Sequence, residues 1–325
     1  MMHLGFIGIG AGAAAALLFA SVTSGTWLSI PLFYLAPLPV LIAGLGWSHW
    51  AALAAALTGA LALGATFGAI FILAFLATVG LPAWWLAYLA MLARPAGNGA
   101  SALEWYPAGR LVVWSAVLAG LIVVAAIPNF GFDADTFRNS LHNVLTHVLR
   151  VESDASSDAP AGIPGVSGVS DADRLIDLMV GAIPPAAAVL ATITNLLNLW
   201  LAARIVKFSG LLKRPWPHLP SLTFPRALTA ALVLAVILSF FSGLLGIVGG
   251  VMSASLLMAY GVLGLAVLHV ITQGMDARLF VLGGVYAAVL VFGWPVLAIC
   301  MLGLIETAID LRARVARKRG PPALT

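Results

Sequence analysis

Few side chains in this chain could do chemistry, and most of them sit inside long apolar runs. Thr192, Asn195 and Asn198 follow one another at spacings of three, which puts neighbouring members about one helical turn apart. An amide surrounded by hydrocarbon must find a partner, so these residues face other helices rather than lipid. Two readings stay open there: interhelical hydrogen bonding, or the lining of a polar ligand cavity. His269, Gln273 and Asp276 recur at spacings of four and three on one helical face. Asp276 and Arg278 mark a water interface and leave His269 as the deeper titratable group. Glu306 and Asp310, four apart, are followed by Arg312 and Arg314. Two carboxylates on one face can bind a cation or move a proton, although acids this close to bases also pair with them. Glu306 is the deeper of the two. The candidate ligand-cavity residues are therefore Thr192, Asn195, Asn198, His269 and Glu306.

Other constellations fail on spacing. Asp133, Asp135, His142 and His147 combine metal-ligand types, but the two histidines are five apart and offset by about 140° around a helix. Zinc-binding helices place His at i and i+4 within His-Glu-x-x-His, which is absent. No metal site is expected. The single cysteine, Cys300, excludes an intrachain disulfide. No Walker motif, Gly-x-Gly-x-x-Gly, Gly-x-Ser-x-Gly or Cys-x-x-Cys occurs, and no nucleophile–base set is visible. The residues point away from an enzyme and from a bound cofactor.

The elements that must position these residues are membrane helices. The chain is 62% hydrophobic and only 9% charged, against about 25% charge in soluble domains. Its charges are sorted by place. Residues 128–177 hold eight acids and three arginines, whereas 204–226 hold five bases and no acid, and Arg312–Arg319 hold five more bases. Ten of the sixteen bases thus flank apolar runs, the pattern of attachment to anionic headgroups rather than to nucleic acid. The positive-inside rule assigns 94–110, 204–226 and the C-terminal tail to the cytoplasm and the acidic segment to the outside of a bacterial inner membrane.

Runs of about 20 apolar residues predict spans at 4–21, 109–127, 176–204, 227–245 and 252–272. Two more, 277–293 and 295–311, are separated by Gly293-Trp294-Pro295. The Pro- and Gly-punctuated stretch 31–93 divides into 31–46, 49–64 and a long, broken 66–93. The expected fold is an all-α bundle of about ten spans. Segment 4–21 reads as a retained first span, not a cleaved leader. Its Gly8, Gly12, Ala16 and Ala20 form a small-residue face for close packing, either inside the bundle or against a membrane protein partner. Pro184-Pro185 predicts a kink in 176–204. In the outer segment, Asp135 offers an N-cap for an amphipathic helix through Arg150 that lies on the leaflet or on the bundle. Residues 152–171 read as a flexible linker. Four regions result: membrane helices at 1–127, the acidic outer loop at 128–175, membrane helices at 176–311, and a basic tail at 312–325.

Several stretches resemble the YybS-like bacterial membrane proteins. They are Tyr34-Leu35-Ala36-Pro37-Leu38-Pro39 with Gly44 and Gly46-Trp47-Ser48-His49, then Ala203 to Pro225, and Gly264-Leu265-Ala266-Val267-Leu268-His269. The ending Leu302-Gly303-Leu304-Ile305-Glu306 through Asp310-Leu311-Arg312 belongs to the same likeness. The resemblance covers both ends of the chain and implies a multi-pass membrane fold. The N-terminal half is also similar in pattern to the substrate-binding membrane components of energy-coupling-factor vitamin transporters. That similarity implies a Pro-rich early segment lining a ligand cavity, a first helix docking a partner, and no ATPase of its own. Those components have six spans, which sets this chain apart. The expected function is a transporter-like or substrate-capture membrane subunit, with a non-catalytic scaffold as the alternative.

Overall fold

A computed structural model describes residues 2–95, 103–131, 133–155, 169–217 and 222–319. The first helix, α1 (Met2–Ala20), returns through a 3₁₀ turn and Gly25 to a broken pair, α2 (Ser29–Tyr34) and α3 (Pro37–Gly46). Pro37 explains the break, since it lacks the amide that would continue α2 and instead starts α3 at its first position. Ser48 caps α4 (His49–Phe67) by accepting a hydrogen bond from Ala51 N at 3.3 Å. Gly68, at φ 103°, turns the chain into α5 (Ile70–Phe75). A π-turn over Leu76–Gly80 leads into α6 (Leu81–Ala90). Pro82 cannot donate to the preceding turn, and the π-turn absorbs that missing bond within one continuous span, Ile70–Ala90.

A short antiparallel hairpin follows, β1 (Ala93–Pro95) paired with β2 (Leu103–Trp105), which helical periodicity did not predict. Next come α7 (Ala108–Ala126), α8 (Ala134–Ala155) and α9 (Val169–Phe208), which continues unbroken through Pro184-Pro185. The C-terminal group is α10 (Arg226–Ser239), α11 (Leu244–Ile271), α12 (Arg278–Phe292), α13 (Pro295–Ile309) and α14 (Leu311–Arg319). Gly293, at φ 70°, makes the predicted turn between α12 and α13. The break before α11 falls at 240–243, with Gly243 at φ 79°, not in the 246–251 interval the sequence suggested. Gly249 lies inside α11 instead, where a Cβ would come within 2.9 Å of Ala235 O. Gly249 serves close approach of α11 to α10 rather than a turn.

Among the described residues, seven helical segments are long and apolar enough to cross a membrane. The other three expected spans, α10, α12 and α13, have 14, 15 and 15 residues. At 1.5 Å per residue they reach about 21–23 Å, short of a hydrocarbon core of about 30 Å. Among the described residues, a small apolar cluster beneath α8 accompanies two large apolar cores. One gathers α1, α3, α4 and α6, and the other gathers α7, α10 and α11. The helix α9 contributes to both, through Ala202 and Val206 to the first and Leu196 to the second.

The amphipathic α8 lies on the bundle. Its Phe137 and Leu141 are buried with Ile127 and Val180, against Ile183 of α9 and Leu244, Ile247 and Val248 of α11. Its cap is Asp133 rather than Asp135. The Asp133 carboxylate accepts from the amides of Asp135 (3.0 Å) and Thr136 (2.9 Å) and from the Thr136 hydroxyl (2.5 Å). The Thr136 hydroxyl, foremost among these, holds the Asp133 carboxyl below its usual value of 3.8. A depressed folded pKa means the cap contributes above the ordinary carboxylate range and is lost only as pH falls through the lower, folded value. Of the expected linker, 152–155 complete α8 and 169–171 open α9, while 156–168 lie outside the described residues.

The small face of α1 packs internally on α4. A Cβ at Gly8 would stand 2.6 Å from Ala54 Cβ, and one at Gly12 would stand 2.5 Å from Ala55 O and 2.8 Å from Thr58 Cβ. Ala16 is buried on the same side and Ala20 half-buried. Gly12→Leu has no room beside the α4 backbone, and overpacking of this kind costs about 1–3 kcal/mol or more. The purified variant should therefore melt several degrees below wild type in detergent. An unchanged melting curve would contradict the α1–α4 contact.

Candidate functional site

The polar side chains of α9 bond backbone carbonyls, some within α9 and some on other elements. Asn198 is 1% exposed, and its Nδ2 donates to Tyr34 O at 2.8 Å and to Thr194 O at 2.9 Å. Tyr34 O has lost its helical partners for a definable reason. Pro37 has no amide, and Leu38 N donates to Leu35 O at 2.9 Å instead. A carbonyl left bare in hydrocarbon costs several kcal/mol, so the Pro-induced break between α2 and α3 is tolerable only because α9 supplies an amide. Asn195 Nδ2 donates to Ser115 O of α7 at 3.2 Å, and the Thr192 hydroxyl to Ala188 O within α9 at 2.8 Å. Asn198 Oδ1 is fully buried and has no hydrogen-bond partner among the described residues. Because both acceptors facing Nδ2 are carbonyls, the orientation of this amide is not ambiguous.

Glu306 and Arg312 form a buried ion pair, with Oε1 2.6 Å from Nε and side chains 4% and 10% exposed. Glu306 Oε2 also accepts from Arg312 N at 3.2 Å, and Arg312 Nη2 donates to Leu222 O at 2.7 Å. The pair thereby joins α13, α14 and the segment leading into α10. Asp310 ends α13 in the left-handed conformation (φ 50°), while its carboxylate faces Ala313 N of α14 at 3.4 Å. His269 is half-buried. Its Nδ1 lies 2.8 Å from Leu265 O, and its ring packs 6.1 Å from that of Tyr286 on α12. The structure thus distributes the five candidates over three places: Thr192, Asn195 and Asn198 along α9, His269 near α12, and Glu306 at the α13 end.

Apolar intramembrane cavities lie elsewhere. One of about 460 Å³ opens between α9, α11, α12 and α13, lined by residues including Val189, Ala254, Met258, Leu265, Tyr286 and Cys300. A second, of about 240 Å³, sits where α3, α7 and α9 meet the 212–217 segment, against Leu199, Trp200, Arg214 and Trp216. None of the five candidates lines either one. Among the described residues no group of three His, Cys, Asp or Glu is close enough to hold a metal. His142 Nδ1 instead faces the Thr146 hydroxyl at 3.5 Å.

Three features escaped sequence reasoning. The backbones of α11 and α13 touch through Gly264, whose Cβ would strike Ile299 O, and through Gly303, whose Cβ would strike Tyr260 O. The Gly261-x-x-Gly264 spacing was the available signal, obscured by the abundance of glycine. Tyr260 is fully buried, with its hydroxyl 2.8 Å from Thr229 Oγ1 of α10. Arg214 clamps two carbonyls, Ala90 O at the end of α6 (2.9 Å) and Tyr106 O (2.7 Å), a role that nothing in the local sequence marks.

Removing one member of a buried ion pair strands the other, at a cost of about 3–5 kcal/mol. Glu306→Ala should lower thermal stability by that order. Combining it with Arg312→Met should cost less than the two single changes added together, as read by a double-mutant cycle in detergent. Additive losses would refute direct pairing.

Comparison with curated proteins and with solved structures finds no match. The match to a family model spans nearly the whole bundle, from within α1 to the Glu306 end of α13. The chain belongs to the predicted membrane protein family DUF2232, the YybS-like proteins, whose model matches residues 13–307.

Proposed function

We propose that this protein is a transporter-type membrane subunit that captures an apolar or amphipathic small molecule from within the bilayer. One observation carries the reading: the cavity of about 460 Å³ between α9, α11, α12 and α13 has apolar walls, while Thr192, Asn195 and Asn198 bond backbone carbonyls. A hydrophilic solute would need polar groups on the cavity wall, and none of Thr192, Asn195, Asn198, His269 and Glu306 lines this cavity. Ligand pockets are mostly apolar with few convergent polar groups, and here Tyr286 is the polar wall residue. The sequence carries no nucleotide-binding motif, so the energy for movement comes from another protein in this reading.

Filling the cavity tests the proposal. Ala254 is only partly buried, so Ala254→Trp adds bulk to the cavity wall with little demand on the core. Small molecules retained by the purified protein, measured by mass spectrometry of extracts, should fall at least tenfold while the melting temperature moves by a few degrees. Unchanged retention would end the capture reading. A stable protein partner that co-purifies equally with both forms would then favour a scaffold.

The ten apolar helices are read here as ten spans of a bacterial inner membrane, with α10, α12 and α13 accommodated by local thinning or burial among neighbours. The basic segments 204–226 and 312–319 then face the cytoplasm, and α8 lies outside. Reporter fusions active only in the cytoplasm should work near residue 215 and at 320, and fail near 160. Activity at 160 would overturn this orientation.

A further inference from the structure

We propose that the end of α9 and the 212–217 segment form a site for one lipid bearing an anionic, phosphate-containing headgroup, with its chain in the cavity of about 240 Å³. The cavity is apolar along Leu111, Val112, Leu196 and Leu199, and its rim carries Trp200 and Trp216. Two cations sit on that rim. Arg204 Cζ lies 5.8 Å from the Trp200 ring centroid and 5.6 Å from that of Trp216, and Lys207 Nζ lies 4.9 Å from the Trp216 centroid. Both side chains are on exposed positions one turn apart on α9. They share one aromatic ring, and among the described residues neither forms an ion pair with a carboxylate. Like charges one turn apart on a helix repel, and an outside anion between them turns that cost into binding.

Arg214, also basic, has another task. It lines the cavity but commits its guanidinium to Ala90 O and Tyr106 O, which holds the loop, and Trp216 with it, over the opening. Tryptophan with Arg and Lys at a helix end marks headgroup depth, so an apolar cavity opening there meets a chain below and a phosphate above. Ordinary surface attraction needs no cavity. The combination of a chain-sized recess, a fixed aromatic rim and paired cations selects one lipid over the bulk. The site is separate from the larger cavity near α12, so the two proposals stand or fall independently.

The test is a thermal-shift titration of purified protein in neutral detergent with phosphatidylglycerol, with phosphatidylcholine of the same chains, and with inorganic phosphate. Phosphatidylglycerol should stabilise wild type at the lowest concentration. The double variant Arg204→Gln/Lys207→Gln should bind it about 30-fold more weakly, since each basic residue contributes roughly 1 kcal/mol near an anionic lipid. Both positions are exposed, so the variant's melting temperature without lipid should match wild type. Ala254→Trp should keep the preference. Equal response to phosphatidylcholine, an equal response to phosphate alone, or an unchanged preference in the double variant would each overturn the proposal.

Discussion

Lipid is as apolar as the side chains of this bundle, so burial from water cannot drive its helices together once they are inserted. What remains is close contact between backbones and the satisfaction of every polar group that a break exposes. Both demands appear at the same few places. Gly8 and Gly12 bring α1 onto α4, and Gly264 and Gly303 bring α11 onto α13, each at distances that any larger residue would forbid. Between these two tight pairs runs α9, whose amides serve the carbonyls of Ser115 and Tyr34. The Pro-containing break between α2 and α3 therefore depends on a residue more than 160 positions away.

The charged ends obey a related rule. Glu306 and Arg312 are buried together, and Arg312 reaches back to Leu222 O, so the start of α14 and the approach to α10 are tied at one point. Arg214 does the same for the end of α6 and for Tyr106. Basic residues that a charge count would place loosely at a membrane surface thus divide into two kinds. Arg214 and Arg312 are structural ties to carbonyls, while Arg204 and Lys207 remain exposed over aromatic rings.

These commitments shape the functional argument. Polar residues inside a membrane are often read as ligand contacts, and here the donors of all three on α9 are committed to backbone carbonyls. The open volumes are left to apolar walls, beside the loosely packed α12, in which no residue is buried. A protein built this way is better suited to molecules that already reside in the bilayer than to those that must leave water to enter it.

The class of fold was legible in the sequence, because a window of 20 apolar residues and the sorting of charge are local properties. So were the small face of α1, the Gly293 turn and the apolar face of α8. The breaks were less legible. Gly249 carries the same local signal as a turn, and only the nearness of α10 decides that it is a packing residue. The short lengths of α12 and α13 likewise emerge from where positive-φ residues, Gly293 and Asp310, stop them. The roles of Asn195, Asn198 and Glu306 were open between glue and ligand site, since sequence shows that a buried polar group needs a partner and not which partner it has. Hydrogen bonds across 80 and 164 residues, and a cavity walled by four helices, exist only once the chain is packed. Tertiary structure decides these because satisfaction of a polar group is a property of distance in space, and distance along the chain carries no record of it.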